Sequence, residues 1–261
     1  MRVLLVFLFL ITFTISSQEV MVEKEEKSFS QGEMIKYKVH YGFVNAGEAI
    51  MKVDESLKTI NGKNCYQVLV EGNSIGMFDF FLPIRDQWGT YIDTSSNVPQ
   101  KFFMKIAEGK YRKHEIVDFL HQKRKVNVKK YHVKDEYWKP IETFEIPENA
   151  QDIVSGYYYV RTLNFDKMKE GDVISINVFF EDEVFDFRIR YVGIDKVKTK
   201  LGSYEAIVLS PIMPKNSLFD GENSIRIWLS NDSKKIPLKV KASMFVGAVE
   251  VDIHEYEAGK N

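Results

Sequence analysis

The sequence predicts a mainly β protein: a curved antiparallel sheet or partly closed barrel with one helix packed against it. Three observations carry that expectation. From Met34 onward apolar and polar residues alternate at period two, the pattern of half-buried strands. Turn dipeptides interrupt the alternation at short intervals, and one segment, 150–164, changes to helical spacing.

In chain order, Ile35, Tyr37, Val39 and Tyr41 share one face, with Lys36, Lys38 and His40 on the other. Phe185, Phe187, Ile189 and Tyr191 alternate in the same way with Asp186, Arg188 and Arg190. Ile236, Leu238, Val240, Ala242 and Met244 alternate with Pro237, Lys239, Lys241 and Ser243. Asn61-Gly62, Glu108-Gly109, Glu170-Gly171, Leu201-Gly202 and Asp220-Gly221 mark turns between such runs. Roughly a dozen or more strands joined by hairpin-length loops make an antiparallel meander. A sheet of that length must curl into a barrel or fold into a sandwich, since open twisted sheets seldom exceed about ten strands.

In the exceptional segment Ile153, Tyr157, Val160 and Asn164 recur at helical spacing, as do Val154, Tyr158 and Arg161. Asn149 or Asp152 is placed to cap the helix, and Pro147 suits its entry. Gly156 and the β-branched and aromatic content work against the helix. No Pro- or Ser-rich linker divides the chain, so residues 32–257 are expected to form a single β-rich domain, with two subdomains as the lesser possibility.

The start of the chain reads as an address. Arg2 precedes an uncharged apolar run, Val3 to Ile15, and then Ser16-Ser17-Gln18. A positive charge, a short apolar core and small residues describe a secretory signal peptide over residues 1–17, cleaved near Ser16 or Ser17. The run is short of the roughly 20 residues that span a bilayer. Residues 18–31 are polar and charged and read as a flexible leader. No later run has membrane-spanning length, so a periplasmic or secreted product is expected.

Composition excludes two classes. With 44% hydrophobic residues and 36 Lys plus Arg against 37 Asp plus Glu, the chain is neither disordered nor basic enough to displace counterions from nucleic acid. The single Cys65 cannot make an internal disulfide, and in the strand-like Lys63 to Val70 it reads as a small buried hydrophobe.

The familiar chemical motifs are absent: no glycine-rich phosphate loop, no GxSxG elbow, no HExxH helix. His40, His114, His121, His132 and His254 are scattered without ligand spacing. No catalytic residue, metal or cofactor is therefore assigned. Lys123-Arg124-Lys125 with Lys129-Lys130 reads as a charged outer strand that discourages edge pairing, with anionic head groups or glycans as the alternative. Asp86, Asp93, Asp152 and Asp232 are the acids nearest aromatic residues, and a glycosidase pair would need two of them across a cleft. The segment Gly72 to Pro83 carries Met77, Phe78, Phe80 and Phe81. It is read as a lid over an apolar cavity, as a surface that touches lipid, or as a plug in one end of the sheet.

The order Tyr37-x-Val39-x-Tyr41-Gly42-x-x-x-Ala46-Gly47-Glu48-Ala49, Arg85-Asp86, Val98-Pro99 and Asp152-x-x-Ser155-x-x-Tyr158-x-x-Arg161 resembles a family of exported bacterial proteins, domain of unknown function 3108. Ile227-Trp228-Leu229-Ser230-Asn231-Asp232, then Ile236-Pro237 and Val246-Gly247, are similar to the family's ending. The resemblance covers residues 33–253. It implies a β-rich exported protein and brings no catalytic residues to carry over. It also implies a close backbone approach at Ala46-Gly47. A buried Arg161 would need a carboxylate partner, with Asp86 or Asp232 as candidates.

Taken together, the residues point to a non-enzymatic binding protein for a lipidic or other apolar, amphipathic ligand. The ligand is expected between helix and sheet, touched by Met77, Phe78, Phe80, Phe81, Tyr158 and Arg161 and gated by Gly72 to Pro83. The alternatives are an envelope protein-interaction or assembly factor and, third, an envelope glycan hydrolase. The oligomeric state is left open.

Overall fold

The computed structural model describes residues 28–212, 222, 224–244 and 247–260. The expected signal peptide, most of the leader and the Asp220-Gly221 turn lie outside them. The first half of the chain forms β1 (Met34–Tyr41), β2 (Val44–Val53), β3 (Lys58–Ile60), β4 (Lys63–Ser74), helix α1 (Gly76–Phe81), β5 (Arg85–Asp93) and β6 (Pro99–Glu108). It continues through β7 (Tyr111–Leu120), a 3-10 turn at His121–Lys123, β8 (Lys125–His132), β9 (Tyr137–Trp138) and β10 (Glu142–Glu145). Helix α2 (Ile153–Arg161) leads to β11 (Val173–Phe180), β12 (Glu183–Thr199), β13 (Gly202–Pro211), β14 (Ile225–Ser230), β15 (Pro237–Ser243) and β16 (Ala248–Glu257).

All sixteen strands belong to one antiparallel sheet in the order β10-β8-β7-β6-β5-β4-β2-β1-β16-β15-β14-β13-β12-β11, with β3 beside β4 and β9 beside β8. The sheet is curled but not closed by backbone bonds. Its two edges, β10 and β11, are consecutive in sequence, and α2 runs between them. Side chains draw these edges together: Phe179 packs on Phe144 and Phe119, while Glu181 and Asp182 pair with Lys113 and Lys130. The residues before α2 also cover the β11 edge, since Gln151 bridges to Val178.

The turns follow from residue chemistry. Asn61 and Gly62 both take positive φ (52° and 73°) between Ile60 and Lys63, the two-residue hairpin that Asn-Gly favours. Gly47 is needed for close approach, because a Cβ there would stand 2.7 Å from the Asn73 carbonyl oxygen on the neighbouring strand. The Ala46-Gly47 expectation is thereby given its cause.

α2 begins at Asp152, whose carboxylate accepts from the backbone N–H of Val154 and Ser155, while the Ser155 hydroxyl accepts from the Asp152 N–H. This reciprocal capping box satisfies donors that the first turn leaves free. Asn149, the other candidate cap, instead takes a positive φ on the approach. Val154 and Tyr158 pack into a core with Phe102, Phe119 and Val128, and Val160 packs into a second core with Ile174, Leu209 and Leu229.

Three sequence expectations change. There are two α-helices, because residues 76–81 coil at the tip between β4 and β5. The segment read as a gate does not start at Gly72, which is a residue of β4 paired with Ala49 and Asp86. Ser28 and Phe29, inside the stretch read as a leader, are buried, and the Phe29 ring meets Tyr66 and Tyr158 at 5.2 and 4.6 Å.

Candidate functional site

Residues paired directly across neighbouring strands point to the same face of a sheet. One such row runs Met104, Trp88, Val70, Met51, Ile35, and a second runs Val39, Val251, Val240, Ile227, Leu209, Tyr191. Met104, Ile35 and Leu209 belong to the buried cores, so both rows lie on the concave face that α2 packs against. Part of each row is different: Trp88, Val70 and Met51 in the middle of the first, and Val39, Val251, Val240 and Ile227 along one end of the second, are only half-buried. Phe185 and Phe187 share the face of buried Ile189 and are exposed. The sheet therefore has a concave apolar stretch that its own chain covers incompletely.

The strand registers fix the position of that stretch. The β1–β2 turn, α1 and the β6–β7, β11–β12 and β15–β16 connections all fall at one end of the sheet. The second row lies nearest this end, through Val39, Val251 and Ile227, while the first runs deeper and reaches Met51 and Ile35 toward the opposite end.

The opposite end is closed. Arg161, at the last turn of α2, is wholly buried and forms a forked pair with Glu33: Nη1 donates to Oε1 at 2.7 Å and Nη2 to Oε2 at 2.9 Å. Nη2 also donates to the Ser28 carbonyl and Nε to the Lys234 carbonyl, and the guanidinium lies over the Phe29 and Tyr158 rings. The Glu33 carboxylate raises the Arg161 pKa against the effect of burial. Beyond this floor lies a mixed polar cleft of about 280 Å³ lined by Phe29, Gln31, Glu33, Tyr66 and Tyr256. Burial also pushes the Tyr37, Tyr157 and Tyr158 hydroxyls well up, and the Tyr37 and Tyr157 oxygens lie 3.4 Å apart above the floor.

The six residues expected to touch ligand fall into two groups. Met77, Phe78, Phe80 and Phe81 sit on α1 at the open end, with Phe80 and Phe81 84% and 76% exposed. No α1 residue is buried. Asp79 anchors the helix, accepting from Ser74 Oγ and Arg85, and these bonds lower its pKa to about 2. Tyr158 and Arg161 are instead in the floor, their polar and aromatic surfaces engaged by protein groups. The partner of Arg161 is Glu33 rather than Asp86 or Asp232. Asp86 accepts from the Ala107 N–H, and Asp232 caps its own turn through Ser230, Lys234 and Lys235.

The other candidate acids are likewise used locally. Asp93 accepts from Ser95 and Ser96, and Asp152 from the α2 N-terminus and Thr90. Burial raises the Asp152 pKa to about 6. Burial, then the neighbouring Asp86, also raises Glu108. Cys65 is buried, and burial pushes its thiol up to about 11. The basic run splits: Arg124 pairs with Glu148 outside, while Lys130 turns inward to Asp182 and Glu142. Among the described residues no three His, Cys, Asp or Glu side chains group as metal ligands, and no helix is long and apolar enough to cross a membrane.

The comparison with known families matches residues 36–254 to DUF3108, a protein family of unknown function. The chain belongs to that family. No curated protein matches it. Its fold is similar to that of a β-barrel-like protein of domain of unknown function DUF1849 from Brucella abortus, at TM-score 0.56 and 9% identity. That similarity covers 89% of this chain and 99% of the other. Weaker likenesses are to a Bacteroides fragilis protein of YmcC-like fold, provisionally classed as exported (TM-score 0.36, 6% identity, 91% and 100% covered), and to a provisional lipoprotein of Parabacteroides distasonis (TM-score 0.33, 8% identity, 90% and 100% covered). For this DUF3108 member the Brucella likeness establishes the curled β fold and nothing of activity.

Proposed function

We propose that the protein is exported to the periplasm or beyond and acts as a non-enzymatic binding protein for a lipidic or other amphipathic ligand. The observation that carries this is the half-covered concave face: seven apolar side chains in two register rows, each continuous with buried core. Apolar area removed from water contributes about 25 cal/mol per Å², so an acyl chain laid across these residues gains where the fold alone does not. Met77, Phe78, Phe80 and Phe81 stand at the mouth of this face. Tyr158 and Arg161 serve it from below by holding the floor.

The test has two arms. Protein purified from its native host is extracted with organic solvent and the extract analysed by mass spectrometry. The emptied protein is then titrated with a brominated fatty acid while Trp fluorescence is followed. Trp88 lies in the first row, so saturable quenching of part of the Trp emission is expected. A protein that is reproducibly empty and shows no saturable quenching would sink the proposal.

A further inference from the structure

We propose that the open end of the barrel is a membrane-docking tip, which sets the mouth of the apolar face against a lipid surface. The inference builds on the ligand-binding reading and names the source of the ligand, the hydrocarbon of a bilayer.

Three chain segments make the tip contiguous. In the β1–β2 turn Phe43 is fully exposed and Val44 about half so. Helix α1 and the residue after it add Met77, Phe80, Phe81 and Leu82. Ile75 N–H donates to the Ala46 carbonyl, and the Phe78 ring meets Tyr41 at 6.3 Å, which joins the two segments. On the other flank Gly109 N–H donates to the Pro83 carbonyl, bringing the β6–β7 turn and exposed Tyr111 alongside.

Residues 41–47 carry no charge, and residues 74–84 carry only Asp79, which Arg85 neutralises. A water-facing tip would not be expected to concentrate six exposed apolar side chains with so little charge, because contiguous exposed apolar patches mark interaction sites. Beside the apolar tip the sequence runs Lys110-Tyr111-Arg112, all exposed. Apolar and aromatic residues ahead of flanking cations match the interfacial arrangement, with rings at head-group depth and cations near lipid phosphates. That charge pattern favours a bilayer over an apolar protein groove. The second half-buried row, Val39 to Ile227, lies nearest the same end, so docking would bring it toward the acyl chains.

Flotation with vesicles of phosphatidylethanolamine and phosphatidylglycerol tests the proposal. The protein recovered after export is expected to float with the vesicles. Phe80→Ser with Phe81→Ser should lower vesicle affinity about a hundredfold, because both rings are exposed and lose only membrane burial. Lys110→Glu should weaken binding severalfold on phosphatidylglycerol vesicles and little on pure phosphatidylcholine. A Phe80→Trp variant should shift its emission to the blue on vesicle addition and be quenched by brominated lipid. Circular dichroism of each variant checks that the fold is retained. Wild-type protein that never floats yet binds fatty acid in solution overturns docking and leaves the ligand reading standing. Protein that floats but takes up no fatty acid keeps docking and removes the ligand reading.

Discussion

Replacing Arg161 with Met should unfold the closed end of the barrel at neutral pH and much less at mildly acid pH. Arg161 is wholly buried and Glu33 is 2% exposed, so Arg161→Met leaves a carboxylate without its cation and without access to water. Breaking a buried pair by removing one partner costs about 3–5 kcal/mol. An independent route gives the same size. If Glu33 escapes by taking up a proton, the cost at pH 7 from an ordinary glutamate pKa near 4.3 is about 3.7 kcal/mol. At pH 5 the same neutralisation costs about 1 kcal/mol. The penalty should therefore fall by about 2.7 kcal/mol between pH 7 and pH 5. Urea unfolding followed by circular dichroism measures it at both pH values. The double variant Glu33→Leu/Arg161→Met should lose at least 2 kcal/mol less than the sum of the single variants, since no charge is stranded. A single-variant penalty under 1 kcal/mol, or one that does not change with pH, would refute the reasoning.

Asp152 titrates the other way from a surface carboxylate. Its folded pKa of about 6 stands above the unfolded value near 3.9, so the stability it contributes is present at low pH and is lost as pH climbs through that window. Asp152→Asn keeps the capping acceptor, and its stability relative to wild type should rise between pH 4 and pH 7 in paired urea melts; a flat difference would show that the carboxyl titrates normally. Gly47→Ala should cost about 2 kcal/mol, because the methyl meets backbone rather than a movable side chain, and differential scanning calorimetry would register the lower Tm. Val240→Trp, which fills the concave face, should lower fatty-acid affinity at least about tenfold with little loss of stability; unchanged affinity would place the ligand elsewhere. Phe80→Ser/Phe81→Ser should leave the unfolding free energy from urea melts within about 0.5 kcal/mol of wild type, as exposed residues do.

The sheet was legible because alternation is local. Ile35, Tyr37 and Val39 declare their common face within five residues, and Asn61-Gly62 declares its hairpin within two. The helix was legible for the same reason, down to Asp152 as one of two candidate caps. What stayed hidden depends on register. Arg161 needed a carboxylate, but Glu33 lies 128 residues away, and no local pattern distinguishes it from Asp86 or Asp232. The concave rows are invisible as a set, because Val39, Val251 and Val240 become neighbours only once β1, β16 and β15 are aligned. The apolar segment around Phe80 was legible as unusual in composition. Whether it plugged the sheet or projected from it was decided by Ser74, Asp79 and Arg85, which tether the helix at its base and leave its rings outside.

The position of the first and last strands governs how the molecule can be assembled. β1 and β16 lie side by side in the middle of the sheet, Met34 opposite Glu257, while the free edges come from the middle of the chain. Folding must therefore join two separate meanders, β1–β10 and β11–β16, along a seam of very high sequence separation, the kind of pairing that forms slowly. Until β16 is in place, β1 and β15 each present an open edge able to pair with another chain. The row of Val39, Val251 and Val240 crosses that seam, so the proposed binding wall comes into being only when the final strand closes it. A chain stopped short of β16 would be cut through its centre, with two half-walls in place of one.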